Sequence, residues 1–181
     1  MPTILPLDPA RADAATAKTL SAVKAKLGRV PNLFLTLAQA PAALDGYLAL
    51  SGALGNGRLD AKQRELVALA VAQENDCGYC LAAHTAIGKM VGLDAVAITG
   101  ARIGQAANPR DAAILALARR IVQQRGRLGA AEIDTARAQG LTDADIVEIV
   151  AHVAVNILTN YVNKVAGTEI DFPAVEMARA A

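Results

Sequence analysis

Apolar side chains recur along this chain at the spacing of an α-helix. In the most apolar stretch, Ile146, Val150, Val153 and Ile157 are three or four residues apart, which places them on one helical face. No segment shows the alternation of apolar and polar residues that is typical of a strand. Ala and Leu, both strong helix formers, supply much of the apolar content. The pattern predicts an all-α fold.

Glycine, proline and capping residues divide this pattern into about nine helices. Helix starts are indicated by capping pairs such as Asp60 with Gln63 and Thr142 with Asp145. Asp76 is expected to cap the helix that begins at Cys77, and Gly marks most helix ends. The predicted helices span approximately residues 8–28, 31–41, 42–54, 60–74, 77–91, 94–104, 109–126, 129–140 and 142–166.

Length and punctuation predict one main domain. A chain of 181 residues is long enough to bury one core and to carry a small extension. We expect an N-terminal helical extension over residues 1–30, a helical domain over residues 31–172 and a C-terminal tail over residues 173–181.

The composition of the chain indicates which classes of partner to expect. The formal net charge is +1 and aromatic residues make up 3% of the chain, so a basic or base-stacking surface for nucleic acid is not expected. The N-terminus lacks the features of a signal peptide, and no stretch of about 18 residues is free of polar groups. We expect a cytoplasmic protein with no nucleic-acid or membrane partner. The apolar content of 54% suggests a non-polar face that is covered in a homo-oligomer.

The candidate chemistry lies in Cys77-Gly78-Tyr79-Cys80, a C-x-x-C at a predicted helix start. Two cysteines at i and i+3 share a face and are close enough to form a disulfide. The helix N-terminus favours a thiolate over a thiol. In a reducing compartment such a pair is unlikely to be a structural crosslink. His84 lies on the same face and could take a proton from Cys80 or stabilise its thiolate.

Glu65 is a further candidate catalytic residue, Tyr79 a possible supporting residue and His152 a core residue. Glu65 lies on the preceding helix, and it could orient His84 in a Cys-His-acid relay if that helix folds back. Tyr79 either packs in the core or brings its hydroxyl to the thiols. His152, on the very apolar last helix, is interpreted as a hydrogen-bonded core histidine.

Cofactor sites are the competing interpretation of the same residues. Zinc would find three ligands in Cys77, Cys80 and His84, whereas a structural zinc site needs four. Haem attachment needs a histidine directly after the second cysteine, where this chain has Leu81. We therefore expect no metal and no organic cofactor.

The chain resembles the alkylhydroperoxidase D-like, carboxymuconolactone decarboxylase superfamily. The resemblance is carried by ELVALAVA at 65–72, NDCGYC at 75–80 and AHT at 83–85. The flanking segments PNLF at 31–34, PAAL at 41–44 and NYVN at 160–163 resemble its peroxidase-related members. The resemblance covers about residues 28 to 172.

This resemblance implies an oligomeric helical bundle (a dimer, trimer or hexamer) that reduces hydroperoxides. A cysteine thiolate would become a sulfenic acid and then a Cys77–Cys80 disulfide. A dithiol donor of the lipoyl or thioredoxin type would reduce that disulfide. Glu65 and His84 would form the proton relay. Alkylhydroperoxidase D itself has a histidine between the cysteines, where this chain has Tyr79, and the decarboxylase branch lacks the cysteine pair.

Two arguments point to different attacking sulfurs. The helix-end position favours Cys77, whereas the histidine four residues further on favours Cys80. We expect Cys80 to attack the peroxide and Cys77 to resolve the product, because a positioned base acts on one thiol. The alternatives are a protein disulfide reductase and, outside catalysis, a redox-sensing oligomeric protein.

Overall fold

A computed structural model describes residues 1–176. Over this range the chain forms nine α-helices, one short 3-10 turn at Pro9–Arg11 and no β-strand, which confirms the all-α prediction. The remaining residues of the expected C-terminal tail, 177–181, lie outside the described part. The helices are α1 (Ala14–Leu27), α2 (Asn32–Leu37), α3 (Pro41–Leu54), α4 (Ala61–Glu74), α5 (Gly78–Met90), α6 (Ala95–Arg102), α7 (Pro109–Gln124), α8 (Ala130–Ala138) and α9 (Asp143–Ala166).

Local capping chemistry fixes most helix starts. Asp60 and Gln63 form a reciprocal capping box at α4, and Thr142 and Asp145 form another at α9. The first helix starts later than predicted. Asp8 caps only the 3-10 turn, and α1 begins after Asp13, whose carboxylate accepts from the backbone of Thr16.

The prediction that Asp76 caps α5 is wrong, because Asp76 ends α4 instead. Its φ of 52° is left-handed, and its N–H donates to the carbonyl of Gln73 at 3.2 Å. The N–H of Cys77 reaches back to the carbonyl of Ala72 at 2.9 Å. These two bonds form a Schellman motif, which closes a helix with a left-handed residue. Cys77 is therefore the cap of α5, and its Sγ accepts from the backbone N–H of Cys80 at 3.3 Å.

Helix α4 lies at the centre of the fold. Every residue from Leu66 to Ala72 is buried, and α4 packs against α5, α6, α7 and α9. Val67 and Val71 face a cluster built with α7 and α9. Leu66, Leu69 and the neighbouring alanines face a second cluster that contains both cysteines. Small side chains on α4 allow this close packing on all sides.

Helix α9 is the longest element, with 24 residues. By length and composition alone it is apolar enough to cross a membrane, and half of its most apolar window is buried inside the protein. A core helix of a globular fold satisfies the same criteria. Its inner face contributes to both sides of the core, so its position determines what lies against α4 and α5.

Asp145 connects the first turn of α9 to neighbouring parts of the fold through ion pairs. Its carboxylate is 1% exposed and accepts from Arg58 at 2.9 Å and from Arg110 at 3.0 Å. Thr142 donates to it through its backbone N–H and its hydroxyl, at 2.9 and 2.6 Å. Burial by itself would raise the pKa of Asp145, but the hydrogen bonds from Arg58, Thr142 and Arg110 outweigh it and hold that pKa well below its usual range.

We predict that Asp145→Asn lowers the free energy of unfolding by about 3 kcal/mol at neutral pH, because two arginines lose their counter-charge. A carboxyl with a depressed folded-state pKa stabilises above its unfolded pKa of about 4, and this stabilisation is lost as the pH falls below that value. Urea unfolding at pH 7 and pH 3 measures both effects. Asp143→Asn, at an exposed ion pair, is the control and should leave the stability almost unchanged. Equal stability of Asp145→Asn and the wild type at pH 7 would contradict this account.

Candidate redox site

The two cysteines lie at the turn where the chain reverses from α4 into α5. They form a disulfide whose Cα atoms are 5.3 Å apart. Cys77 is 1% exposed and Cys80 is 2% exposed. The sulfurs therefore form a buried disulfide, and anything that reacts with them has to reach through the surrounding side chains.

The reversal brings Glu65 to His84, as the sequence analysis anticipated. Oε2 of Glu65 lies 2.8 Å from Nδ1 of His84, with 14% and 21% of the two side chains exposed. A carboxylate at this distance accepts from a protonated Nδ1, which leaves Nε2 as the nitrogen with a free lone pair. The pair can therefore take up and release a proton close to Cys80, one helical turn before His84.

A cleft of about 110 Å³ opens onto the Glu65–His84 pair. Tyr47, Ser51 and Arg64 line it together with α9 residues that include His152. Neither cysteine is among the described residues that line this cleft. A small molecule in the cleft would contact Glu65 and His84 and neither sulfur.

His152 is buried as predicted, with 4% of its surface exposed. Its Nε2, however, makes no hydrogen bond to the described residues and lies 3.8 Å from Oε1 of Glu148. Burial lowers the pKa of His152 more than Glu148 raises it, so the ring is neutral at pH 7. The prediction that the His152 ring is hydrogen-bonded is therefore wrong for its Nε2 atom.

Tyr79 lies on the α2 side of the pair. Its hydroxyl accepts from the backbone N–H of Leu33 at 3.1 Å. Its ring meets the ring of Phe172 edge to face, with centroids 5.7 Å apart. Desolvation by burial raises the pKa of the Tyr79 phenol above its usual value. These contacts match the packing alternative, and a supporting role at the sulfurs stays a prediction.

Helix α9 supplies contacts that the sequence analysis did not assign. Asn163 Nδ2 donates to Cys80 Sγ at 3.3 Å. Asn160 Oδ1 accepts from Asn75 Nδ2 at 2.9 Å, and Lys164 Nζ donates to the carbonyl of Asn75 at 2.8 Å. The only sequence signal for these residues is that they are polar positions, at helical spacing, in a very apolar helix.

Residues 168–172, which we call the C-terminal strap, cross the start of α5. A Cβ added to Gly78 would lie 3.8 Å from Ile170. Asp171 accepts from Arg29 at 2.6 Å and from the backbone N–H of Asn32 at 3.0 Å. The Arg29 guanidinium also lies 4.5 Å from the centroid of the Phe172 ring. The strap is thus fastened to the loop before α2 and helps to cover the cysteine pair.

Comparisons with known proteins agree with this fold. The family model of the carboxymuconolactone decarboxylase family matches residues 41–124. An alkylhydroperoxidase D core, a peroxidase-related protein from Ralstonia eutropha JMP134, superposes with a TM-score of 0.84 at 26% identity, covering 94% of this chain and 92% of that one. A peroxidase-related protein from Silicibacter sp. TM1040 gives a TM-score of 0.80 at 26% identity, covering 93% and 91%.

The family match and the two peroxidase-related structures support the resemblance to the alkylhydroperoxidase D-like, carboxymuconolactone decarboxylase superfamily.

Of two further matches, one shows the fold alone and the other covers a short segment of the chain. A debrominase solved in complex with a tribromopyrrole has a TM-score of 0.78 at 18% identity, covering 93% of this chain and 91% of its own, and shares the superfamily fold. An uncharacterised Haemophilus influenzae protein is 51% identical over 47 residues. That match covers 25% of this chain and 42% of the length of the Haemophilus protein.

We predict that Asp171→Asn speeds reduction of the Cys77–Cys80 disulfide by dithiothreitol about tenfold, because loosening the strap by about 1.4 kcal/mol raises the population of open molecules by that factor. The rate is measured by quenching with an alkylating agent and counting labelled thiols by mass. Asp134→Asn removes the exposed ion pair with Arg137 on α8 and should leave the rate unchanged. Equal rates for Asp171→Asn and the wild type would show that the strap does not limit access.

Proposed function

We propose that this protein is a thiol-dependent hydroperoxide reductase that works through Cys77 and Cys80. The observations that carry the proposal are the Glu65–His84 pair at 2.8 Å and a buried cysteine pair that forms a disulfide. A thiolate nucleophile, a histidine that moves a proton and a carboxylate that orients it are the groups that peroxide cleavage by a thiol requires.

The proposed reaction balances without a bound cofactor. The Cys80 thiolate attacks the terminal oxygen of ROOH, the O–O bond breaks, and Cys80 becomes a sulfenic acid while RO⁻ takes a proton and leaves as an alcohol. Cys77 then attacks the Cys80 sulfur and releases water as the disulfide forms. Two thiols lose two electrons in total, and the peroxide gains them. An external dithiol of the lipoyl or thioredoxin type restores both thiols by exchange.

Each residue of the relay has a separate task in this proposal. His84 takes the thiol proton of Cys80 through its free ring nitrogen and can return it to the departing alkoxide. Glu65 keeps the proton on Nδ1 and stabilises the imidazolium that forms between these two steps. Neither task needs a group beyond the side chains that the fold brings together.

Burial of the sulfurs favours this function over a protein disulfide reductase. A small hydroperoxide needs less displacement of the covering side chains than a disulfide in a protein substrate, because the sulfurs are only 1–2% exposed. A redox-sensing oligomer makes a different prediction, since oxidation would then change the assembly without turnover.

We predict that one equivalent of cumene hydroperoxide oxidises both thiols of the reduced protein within seconds, with a mass loss of two hydrogens. Dithiothreitol should then support repeated turnover. Glu65→Gln should slow the oxidation about a hundredfold, since it loses the charge that orients and stabilises His84. Glu132→Gln, at an exposed ion pair on α8, is the control and should react like the wild type.

Stopped-flow mixing with acid quench and mass spectrometry follows both species in this experiment. Thiols that survive for minutes would exclude the peroxidase and favour a disulfide reductase. Oxidation that changes the molecular mass of the assembly without turnover would favour the redox sensor.

We also propose that two copies of the chain pair along α9. Exposed apolar residues lie on one face of this helix, at the spacing of its turns. They are Val147, Val150, Leu158, Tyr161 and Val165. An apolar groove of about 400 Å³ lies beside the second half of this face. In an antiparallel pair, the N-terminal end of α9 would meet the C-terminal end of α9 in the second copy, and these two helix ends carry partial charges of opposite sign. A second copy is thus complementary to this face in polarity and in charge.

We predict that the wild type is larger than the 18.6 kDa chain in light scattering at micromolar concentration, and that Leu158→Glu and Tyr161→Glu shift it to a monomer. A glutamate in this apolar contact leaves a charge without a partner. Val96→Glu changes an exposed apolar residue on α6 and should not alter the assembly. A monomeric wild type would refute the proposed pairing.

A further inference from the structure

We propose that Asn163 is a catalytic residue, whose side-chain amide stabilises the Cys80 thiolate and positions the hydroperoxide against it. The part that concerns the peroxide rests on the function proposed above. The part that concerns the thiolate does not, since a thiol can be titrated without any peroxide.

The contact itself defines the direction of the hydrogen bond. A disulfide sulfur carries no hydrogen, so at 3.3 Å the amide N–H of Asn163 has to be the donor and Cys80 Sγ the acceptor. Neutral sulfur is a weak acceptor, whereas a thiolate carries a full charge and accepts far more strongly. The bond therefore strengthens when the disulfide is reduced and Cys80 ionises. It favours the reactive form over the neutral thiol.

Burial amplifies this effect. Asn163 is 4% exposed and Cys80 is 2% exposed, so little water competes for either partner. Hydrogen bonds to a charged group are worth more in such surroundings than at the surface. A thiolate buried here without a donor would be costly, and its pKa would rise.

The amide is held in place by its neighbours on α9. Asn160 and Lys164 flank it and bind the side chain and the carbonyl of Asn75, at 2.9 and 2.8 Å. Asn75 directly precedes the Asp76–Cys77 turn that starts α5. Two fixed contacts on either side of Asn163 therefore set its distance from Cys80 before any charge develops, which is the arrangement that makes a donor effective in catalysis.

The second atom of the same amide is the reason to extend the inference to substrate. Oδ1 of Asn163 is buried and has no hydrogen-bond partner among residues 1–176. An unpaired buried acceptor is destabilising, and a hydroperoxide carries an O–H that could satisfy it. Since Oδ1 and Nδ2 share one carbon, a peroxide bound to Oδ1 would have its terminal oxygen next to the sulfur bound to Nδ2.

Asn163 also distinguishes the two cysteines. Cys77 Sγ accepts from the backbone N–H of Cys80, a donor that no side-chain substitution removes. Cys80 alone receives a side-chain donor from α9. Removing the amide should therefore act on one sulfur and leave the other as it is.

The test titrates each thiol alone by its rate of alkylation with iodoacetamide as a function of pH. In a Cys77→Ser background, Asn163→Ala should raise the midpoint for Cys80 by at least about one pH unit, a tenfold loss of thiolate below the midpoint. Asn163→Asp, which keeps the shape and replaces the donor with a negative charge, should raise it further. In a Cys80→Ser background, Asn163→Ala should leave the Cys77 midpoint where it is.

Thr159→Val is the matched control, because Thr159 is buried on α9 and donates only within its own helix, to the carbonyl of Asn156. The titratable groups of the surrounding elements, Glu65, His84, Tyr79 and Lys164, are identical in all variants. An unchanged Cys80 midpoint in both Asn163 variants, or an equal shift for Cys77, would overturn the assignment. Far-UV circular dichroism checks each variant, and the two different substitutions keep the test decisive if one of them unfolds.

The role of Asn163 in positioning the peroxide is measured at a pH above the Cys80 midpoints of both the parent protein and the Asn163→Ala variant. At this pH every molecule carries a thiolate. There Asn163→Ala should still react at least about tenfold more slowly with cumene hydroperoxide, because a single neutral hydrogen bond to the peroxide of about 1.4 kcal/mol is lost, but should react normally with iodoacetamide. Equal slowing with both reagents would refute the positioning role. If neither the parent protein nor any variant reacts with peroxide, but Asn163→Ala still raises the Cys80 midpoint, the proposed function fails and the thiolate assignment stands.

Discussion

Asn75 is held by α9 through both its side chain and its carbonyl, and the geometry of the redox site depends on that attachment. The next residue, Asp76, ends α4 in a left-handed conformation, and Cys77 then starts α5. Because the turn is short and anchored, the two helices run back along each other. This is how Glu65 and His84 meet at 2.8 Å although 19 residues separate them in sequence.

The cysteine pair is covered by two elements of the fold. Helix α9 covers Cys80 from one side, and the C-terminal strap covers the start of α5 from another. A buried thiolate has to be compensated by nearby donors, and the fold supplies the Asn163 amide, the helix N-terminus and the Glu65–His84 pair. This burial limits access, since a reductant larger than a peroxide has to displace some of the covering side chains before it reaches the sulfurs.

Local sequence signals were sufficient to predict the helices, the proximity of Cys77 and Cys80, and the contact between Glu65 and His84. Capping pairs and helical periodicity depend on residues within one or two turns of each other, so a sequence displays them directly. The error at Asp76 has a physical reason. Aspartate suits both a helix N-cap and a left-handed helix end, and only the position of the Ala72 carbonyl decides between them.

Contacts between distant elements could not be predicted in the same way. Asn163 is 83 residues from Cys80, and nothing near either residue indicates that they touch. Tyr79 had two equal interpretations until its partners Leu33 and Phe172 were placed. The resemblance to the superfamily pointed to the segment that contains Asn160 and Asn163 without giving either residue a role.

The most direct test of the account is to locate the sulfenic acid. Cys77→Ser and Cys80→Ser would each react with one equivalent of cumene hydroperoxide in the presence of dimedone, followed by peptide mapping by mass spectrometry. The account predicts a dimedone adduct on Cys80 when Cys77 is replaced, and none on Cys77 when Cys80 is replaced. An adduct on Cys77 alone, or no adduct in either variant, would contradict it.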